Sequence, residues 1–161
     1  MPTSLNLPTR LREVLLNGKW IANTNFKDQI ESITWEQATQ KVSDLNTIAL
    51  LTFHINYYQK GILNVLNGGS LDIKDKYSFD APEIKSEADW KTLVDDFIKN
   101  AEQFADKVEQ IPDSKFDEAF VDEKYGTYLR NLDGFIEHTY YHLGQISLIR
   151  KMVLLKLSTH N

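Results

Sequence analysis

The chain has 161 residues, 18 Lys+Arg against 23 Asp+Glu, no cysteine, and 42% apolar and 11% aromatic residues. That is enough apolar material for one packed domain, so global disorder is excluded. A net charge of −5 offers no clustered basic face for nucleic acid or anionic lipid, and without thiols any chemistry must use nitrogen and oxygen ligands.

The opening Met1-Pro2-Thr3-Ser4-Leu5-Asn6 has no basic stretch followed by an apolar one, which predicts a cytoplasmic protein. The longest apolar runs, such as Ile48-Ala49-Leu50-Leu51, are four residues, against roughly 20 needed to cross a bilayer. No membrane partner is expected.

Apolar residues recur at helical spacing throughout, and no series of alternating strands competes with them. A first short helix over Thr9–Asn17 carries Leu11, Val14 and Leu15, and stops at Asn17-Gly18 if Gly18 supplies a left-handed cap. Asn23-Thr24-Asn25 can cap a short helix with Phe26 and Ile30. Thr34 and Gln37 then match a capping box. A long helix capped by Asp44 or Asn46 carries Ile48, Leu51, Ile55, Tyr58, Ile62 and Leu66, and ends at Gly68-Gly69. Residues 68–85 read as a long loop, a length that usually has a purpose. Ser86 and Asp89 start the next helix, which has Trp90, Val94, Phe97, Ala101, Phe104 and Val108 on one stripe and ends before Pro112. The last helix runs from about Asn131 to Leu157 on the stripe Leu132, Phe135, Ile136, Thr139, Leu143, Ile146, Ile149, Val153. Long amphipathic helices of this kind bury their stripes most economically in an all-α four-helix bundle, here a single domain over 1–161. Trp20, Trp35 and Trp90 read as core or loop anchors.

Of the four histidines, His54, His138 and His142 lie inside the two strongest stripes. His138 and His142, at i,i+4, share a face about 6 Å apart along the axis. If the helix carrying His54 faces them, three neutral imidazoles converge. Such a set suits Zn²⁺, Ni²⁺, Fe²⁺ or Mn²⁺ and leaves positions open to small molecules. The alternative is a set of semi-buried aromatic rings satisfied by hydrogen bonds. His138-Thr139-Tyr140-Tyr141-His142 has no Glu after the first histidine, so the metalloprotease motif is absent. Spacing also brings Tyr58, Tyr141 and Gln145 within a turn of these histidines, and Glu137 can orient an imidazole on an adjacent helix. Equally, the tyrosines can be packing, Gln145 part of a helix contact and Glu137 a solvated charge. Imidazole ligands must be neutral, which predicts that metal affinity weakens as pH falls through about 6.5.

His138-Thr139-Tyr140-Tyr141-His142-Leu143-Gly144-Gln145-Ile146, with His54 in Phe53-His54-Ile55-Asn56-Tyr57-Tyr58 some 80 residues earlier, resembles the DinB-like (DinB/YfiT) superfamily. The interrupted segment at Gly18-Lys19-Trp20 departs from its pattern. The resemblance implies an up-down-down-up four-helix bundle, a divalent metal on His54, His138 and His142, and a homodimer. It further implies an activity such as S-transfer with bacillithiol, mycothiol or glutathione as thiol cosubstrate, maleylpyruvate isomerisation or metal-dependent hydrolysis on a small-molecule substrate. A non-catalytic bundle that binds metal or a small ligand is the alternative.

Overall fold

The computed structural model describes residues 6–158, with side chains up to residue 155. Among these residues the chain forms six α-helices: α1 (Leu7–Arg12), α2 (Phe26–Glu31), α3 (Trp35–Thr39), α4 (Ile48–Leu66), α5 (Glu87–Glu109) and α6 (Tyr128–Ser158). Short 3-10 turns at Asp75–Tyr77, Asp113–Asp117 and Glu123–Tyr125 punctuate the connections, and one isolated antiparallel bridge joins Ala119 to Thr127. No described helix is long and apolar enough to cross a membrane.

Helix starts follow from local chemistry. Asn25 accepts from the Asp28 N–H, and Thr34 and Gln37 form both bonds of the capping box. Ser86 accepts from the Asp89 N–H. For α4 the cap is Thr47, not Asp44 or Asn46. Thr47 takes the extended conformation that lets its Oγ1 accept from the Leu50 N–H at 3.1 Å, whereas the turn just before it spends Ser43 at φ 51°. α6 begins three residues before Asn131, because Thr127 Oγ1 accepts from the Arg130 N–H.

The first helix also differs from expectation. α1 starts earlier, at Leu7, with Pro8 in its first turn, and runs on as one π-turn, Glu13–Asn17. The turn closes with the Gly18 N–H donating to the Glu13 carbonyl at 3.2 Å. Gly18 is extended (φ −75°), so left-handed capping is not its role. A Cβ there would stand 2.4 Å from Glu13 Cα, and glycine is required for that close approach. Gly68, at φ 87°, does end α4 as expected.

α4 packs against both α5 and α6, and the α1–π segment lies against α5 and α6 from the other side of the core. The three stripes supply the core: Leu51 and Ile55 from α4, Phe97 and Phe104 from α5, Leu132 and Ile146 from α6 are all fully buried or nearly so. Leu11, Val14 and Leu15 complete it from the N-terminal side, and Phe26 stacks on Phe97 with centroids 4.8 Å apart. Of the tryptophans, Trp90 is a core anchor, donating Nε1–H to the Ile33 carbonyl, and Trp35 packs half-buried against the core. Trp20 is 85% exposed and so is not a core anchor; it stands just before a turn with Ala22 and Asn23 at φ 53° and 54°.

Candidate metal centre

The middle of α4 faces the middle of α6, and this brings His54, His138 and His142 together. His54 and His142 are 5% and 7% exposed, and His138 is half-buried. Nε2 of His138 lies 3.2 Å from Nε2 of His54 and 2.9 Å from Nε2 of His142. One ligand atom from each ring falls within 4.8 Å of the other two, an arrangement that can hold a metal ion.

Two rings have their orientation set from behind. His54 Nδ1 is 3.2 Å from the Ser78 carbonyl, and His142 Nδ1 is 2.7 Å from Gln145 Oε1. Both acceptors demand a proton on Nδ1, so the Nε2 lone pairs of His54 and His142 point inward toward His138. A single proton on His138 Nε2 cannot fully satisfy both. The donor set therefore fits a cation: with metal–nitrogen bonds of about 2.0–2.1 Å, ligands on one ion stand about 2.9–3.4 Å apart at right-angled to tetrahedral geometry, which matches the His54–His138 and His138–His142 separations.

The loop after α4 builds one wall. Phe79 stacks on His54 with centroids 4.0 Å apart and planes within 10°. The Tyr58 hydroxyl donates to Asp75 Oδ1 at 2.8 Å, and its ring meets His54 and His138 edge-on. Ser78, Phe79 and Asp75 were not legible as site residues in the sequence; the only signal was the length of the loop that carries them.

The other candidates separate. Gln145 orients His142 directly. Tyr141 sits edge-on to His142 but is 64% exposed, so it flanks the ring from the solvent side. Glu137 orients no imidazole: it points outward to Arg130 at 3.5 Å, because a position one residue before His138 lies some 100° around the helix. Beside His138 a cavity of about 560 Å³ is bordered by Tyr58, Ile62, Phe120, Tyr125, Arg130 and Phe135. Tyr125 thus brings the Asp122–Gly126 segment to the rim.

Burial dominates the electrostatics. It lowers the pKa of all three histidines, His54 to about 4, with the charge of neighbouring imidazoles adding to the effect at His54 and His138. At His142 the bond to Gln145 works in the opposite direction. Burial, then the bond to Asp75, raises the Tyr58 pKa and keeps it a proton donor. In the unfolded chain these imidazoles titrate near 6.5. Between 6.5 and about 4 the unfolded chain therefore binds protons that the folded chain refuses. Stability is full above 6.5 and falls as pH drops through this window. The urea midpoint of chelator-treated protein is expected to decline steadily from pH 6.5 to 4.5, and a flat midpoint would show that the rings are not desolvated. The same effect moves the loss of ligand competence below 6.5, because burial disfavours the charged form of each ring.

No curated protein and no solved structure matches the chain. The model of the DinB superfamily matches residues 22–146, a span that begins before α2 and takes in all three histidines. On that match, the chain belongs to the DinB superfamily.

Proposed function

We propose that the protein is a divalent-metal-dependent enzyme whose metal ligands are His54, His138 and His142, acting as an S-transferase on a low-molecular-weight thiol and a small electrophile. The observation that carries this reading is the convergence of three Nε2 atoms at 2.9 and 3.2 Å, two of them with lone pairs already aimed inward. The proposed fold is a single domain over 1–161 with up-down-down-up helix order, assembled as a homodimer in the cytoplasm.

A bound Zn²⁺, Ni²⁺, Fe²⁺ or Mn²⁺ would act as a Lewis acid that lowers the pKa of a thiol held in its open positions. The chain's own groups do the rest. Ser78 and Gln145 hold the tautomers of His54 and His142. Phe79 shields His54 from water. The cavity beside His138 receives the substrate, with Phe120 and Phe135 against its apolar part and Arg130, paired with Glu137, at its edge. Asp75, the acceptor for the Tyr58 hydroxyl, is the carboxylate placed to take a proton at that cavity. Among the described residues three potential ligands converge rather than four, which favours catalysis over a purely structural ion.

The test is elemental analysis of tag-free protein, followed by assays with bacillithiol, mycothiol and glutathione against electrophiles such as monochlorobimane. Metal near one equivalent with metal-dependent thiol conjugation is expected. Metal without conjugation of any thiol would leave the binding-protein alternative.

Gln145→Leu is expected to weaken metal binding by about 10- to 100-fold, because the His142 Nδ1–H loses its acceptor and the ring its fixed orientation. Competition with a chromogenic chelator measures this; an unchanged affinity would mean that the bond does not position the ligand.

A further inference from the structure

A second and larger cavity lies on a different side of α4. The stripe Leu50, Phe53 and Tyr57 is one face around from His54, and together with Leu93 of α5 it leaves an apolar surface only half-buried. The loop segment 72–84 roofs this surface, leaving a half-open cleft of about 1070 Å³. That is at the upper end of the volume range of small-molecule sites, about 300–1000 Å³.

The roof is held in place by specific contacts. Ile73 packs on Gly61, where a Cβ would stand 2.3 Å from Ile73 Cγ1, so glycine in mid-helix gives the loop its seat. The Tyr57 hydroxyl accepts from the Lys74 N–H at 2.9 Å and donates to the Lys74 carbonyl at 3.1 Å. The cleft is thus walled by two helices and a pinned loop, a shape suited to a small molecule.

Charge narrows the ligand class. Around the apolar floor stand four carboxylates, Asp72, Glu83, Asp89 and Asp96, against two ammonium groups, Lys60 in the lining and Lys85 paired with Glu83 at 3.0 Å. Lys60 is itself paired with Asp96 at 3.3 Å. An anionic amphiphile would meet net repulsion here, and a cationic one net attraction.

We propose that the cleft between α4, α5 and the 72–84 loop binds a small apolar ligand carrying a positive charge, an alkyl- or arylamine by class. It is a site additional to the histidine cluster, and its test does not depend on metal.

The experiment is calorimetric titration of the full chain with decylamine and decanoate, each below its micelle concentration, and with decanol below its solubility limit. Saturable binding of decylamine is expected, with decanoate at least about tenfold weaker and decanol between them. Leu93→Trp and, independently, Leu50→Phe fill the cleft and are expected to weaken decylamine at least about tenfold, with helical circular dichroism confirming that each variant is folded. Asp72→Asn combined with Glu83→Gln should narrow the gap between amine and carboxylate. No decylamine binding by the parent would overturn the proposal. So would equal affinity for decanoate, or undiminished binding in a folded cleft-filling variant.

Discussion

His142→Ala is expected to strip the protein of metal while leaving its helices in place. The substitution removes one of three converging nitrogens and also frees Gln145, so affinity should fall by more than about 100-fold, beyond what loss of an outer hydrogen bond alone costs. α6 continues past the site for four more turns, anchored by Ile146, Ile149 and Val153, so its docking does not depend on the imidazole. Elemental analysis of parent and variant, each reconstituted and desalted, reads the difference, and far-ultraviolet circular dichroism checks the fold. Equal metal in both would move the site elsewhere. If the variant unfolds, His138→Ala, at a half-buried position, supplies the same comparison with less core disturbance.

Phe97→Ala should be among the most damaging single changes to stability. The ring is fully buried in the middle of α5, stacks on Phe26, and lies where the N-terminal segment meets the long helices. Its loss removes apolar burial and leaves a cavity that the surrounding helices can only partly close, at about 3–5 kcal/mol. For a chain of this size that corresponds to a fall in Tm of about 6–20 °C. Differential scanning calorimetry measures it. A fall of under about 2 °C would mean that the α2–α5 contact contributes little.

These two residues mark different depths of legibility. Phe97 belongs to a 3.6-residue stripe, and the stripes of α4, α5 and α6 are patterns of local spacing, so the elements and most of the core could be read from the chain directly. Caps were readable where a side chain two or three residues from its partner decides them, as at Asn25, Thr34 and Ser86. At α4 several polar residues competed for that role, and the backbone conformation of the preceding turn chose Thr47. Gly18 departs from the expected left-handed cap for a related reason: it serves a close approach to Glu13, which no local pattern announces.

The histidine cluster combines both kinds of information. The i,i+4 pair on α6 is a local fact, and His54 on the core side of α4 is another. Their meeting at 3.2 Å, the acceptors that turn two lone pairs inward and the removal of Glu137 from the site are not local facts. They depend on how α4 faces α6 and on where the loop after α4 folds back. That loop has no helical period, and its Ser78 carbonyl and Asp75 carboxylate are groups any loop can offer. By itself, then, the sequence determined the helices, their buried faces and which three histidines those faces carry, because periodicity and spacing are properties of neighbouring residues. Only the tertiary structure decided the geometry of the site, its cavities and its outer partners, because those arise from contacts between residues far apart in the chain.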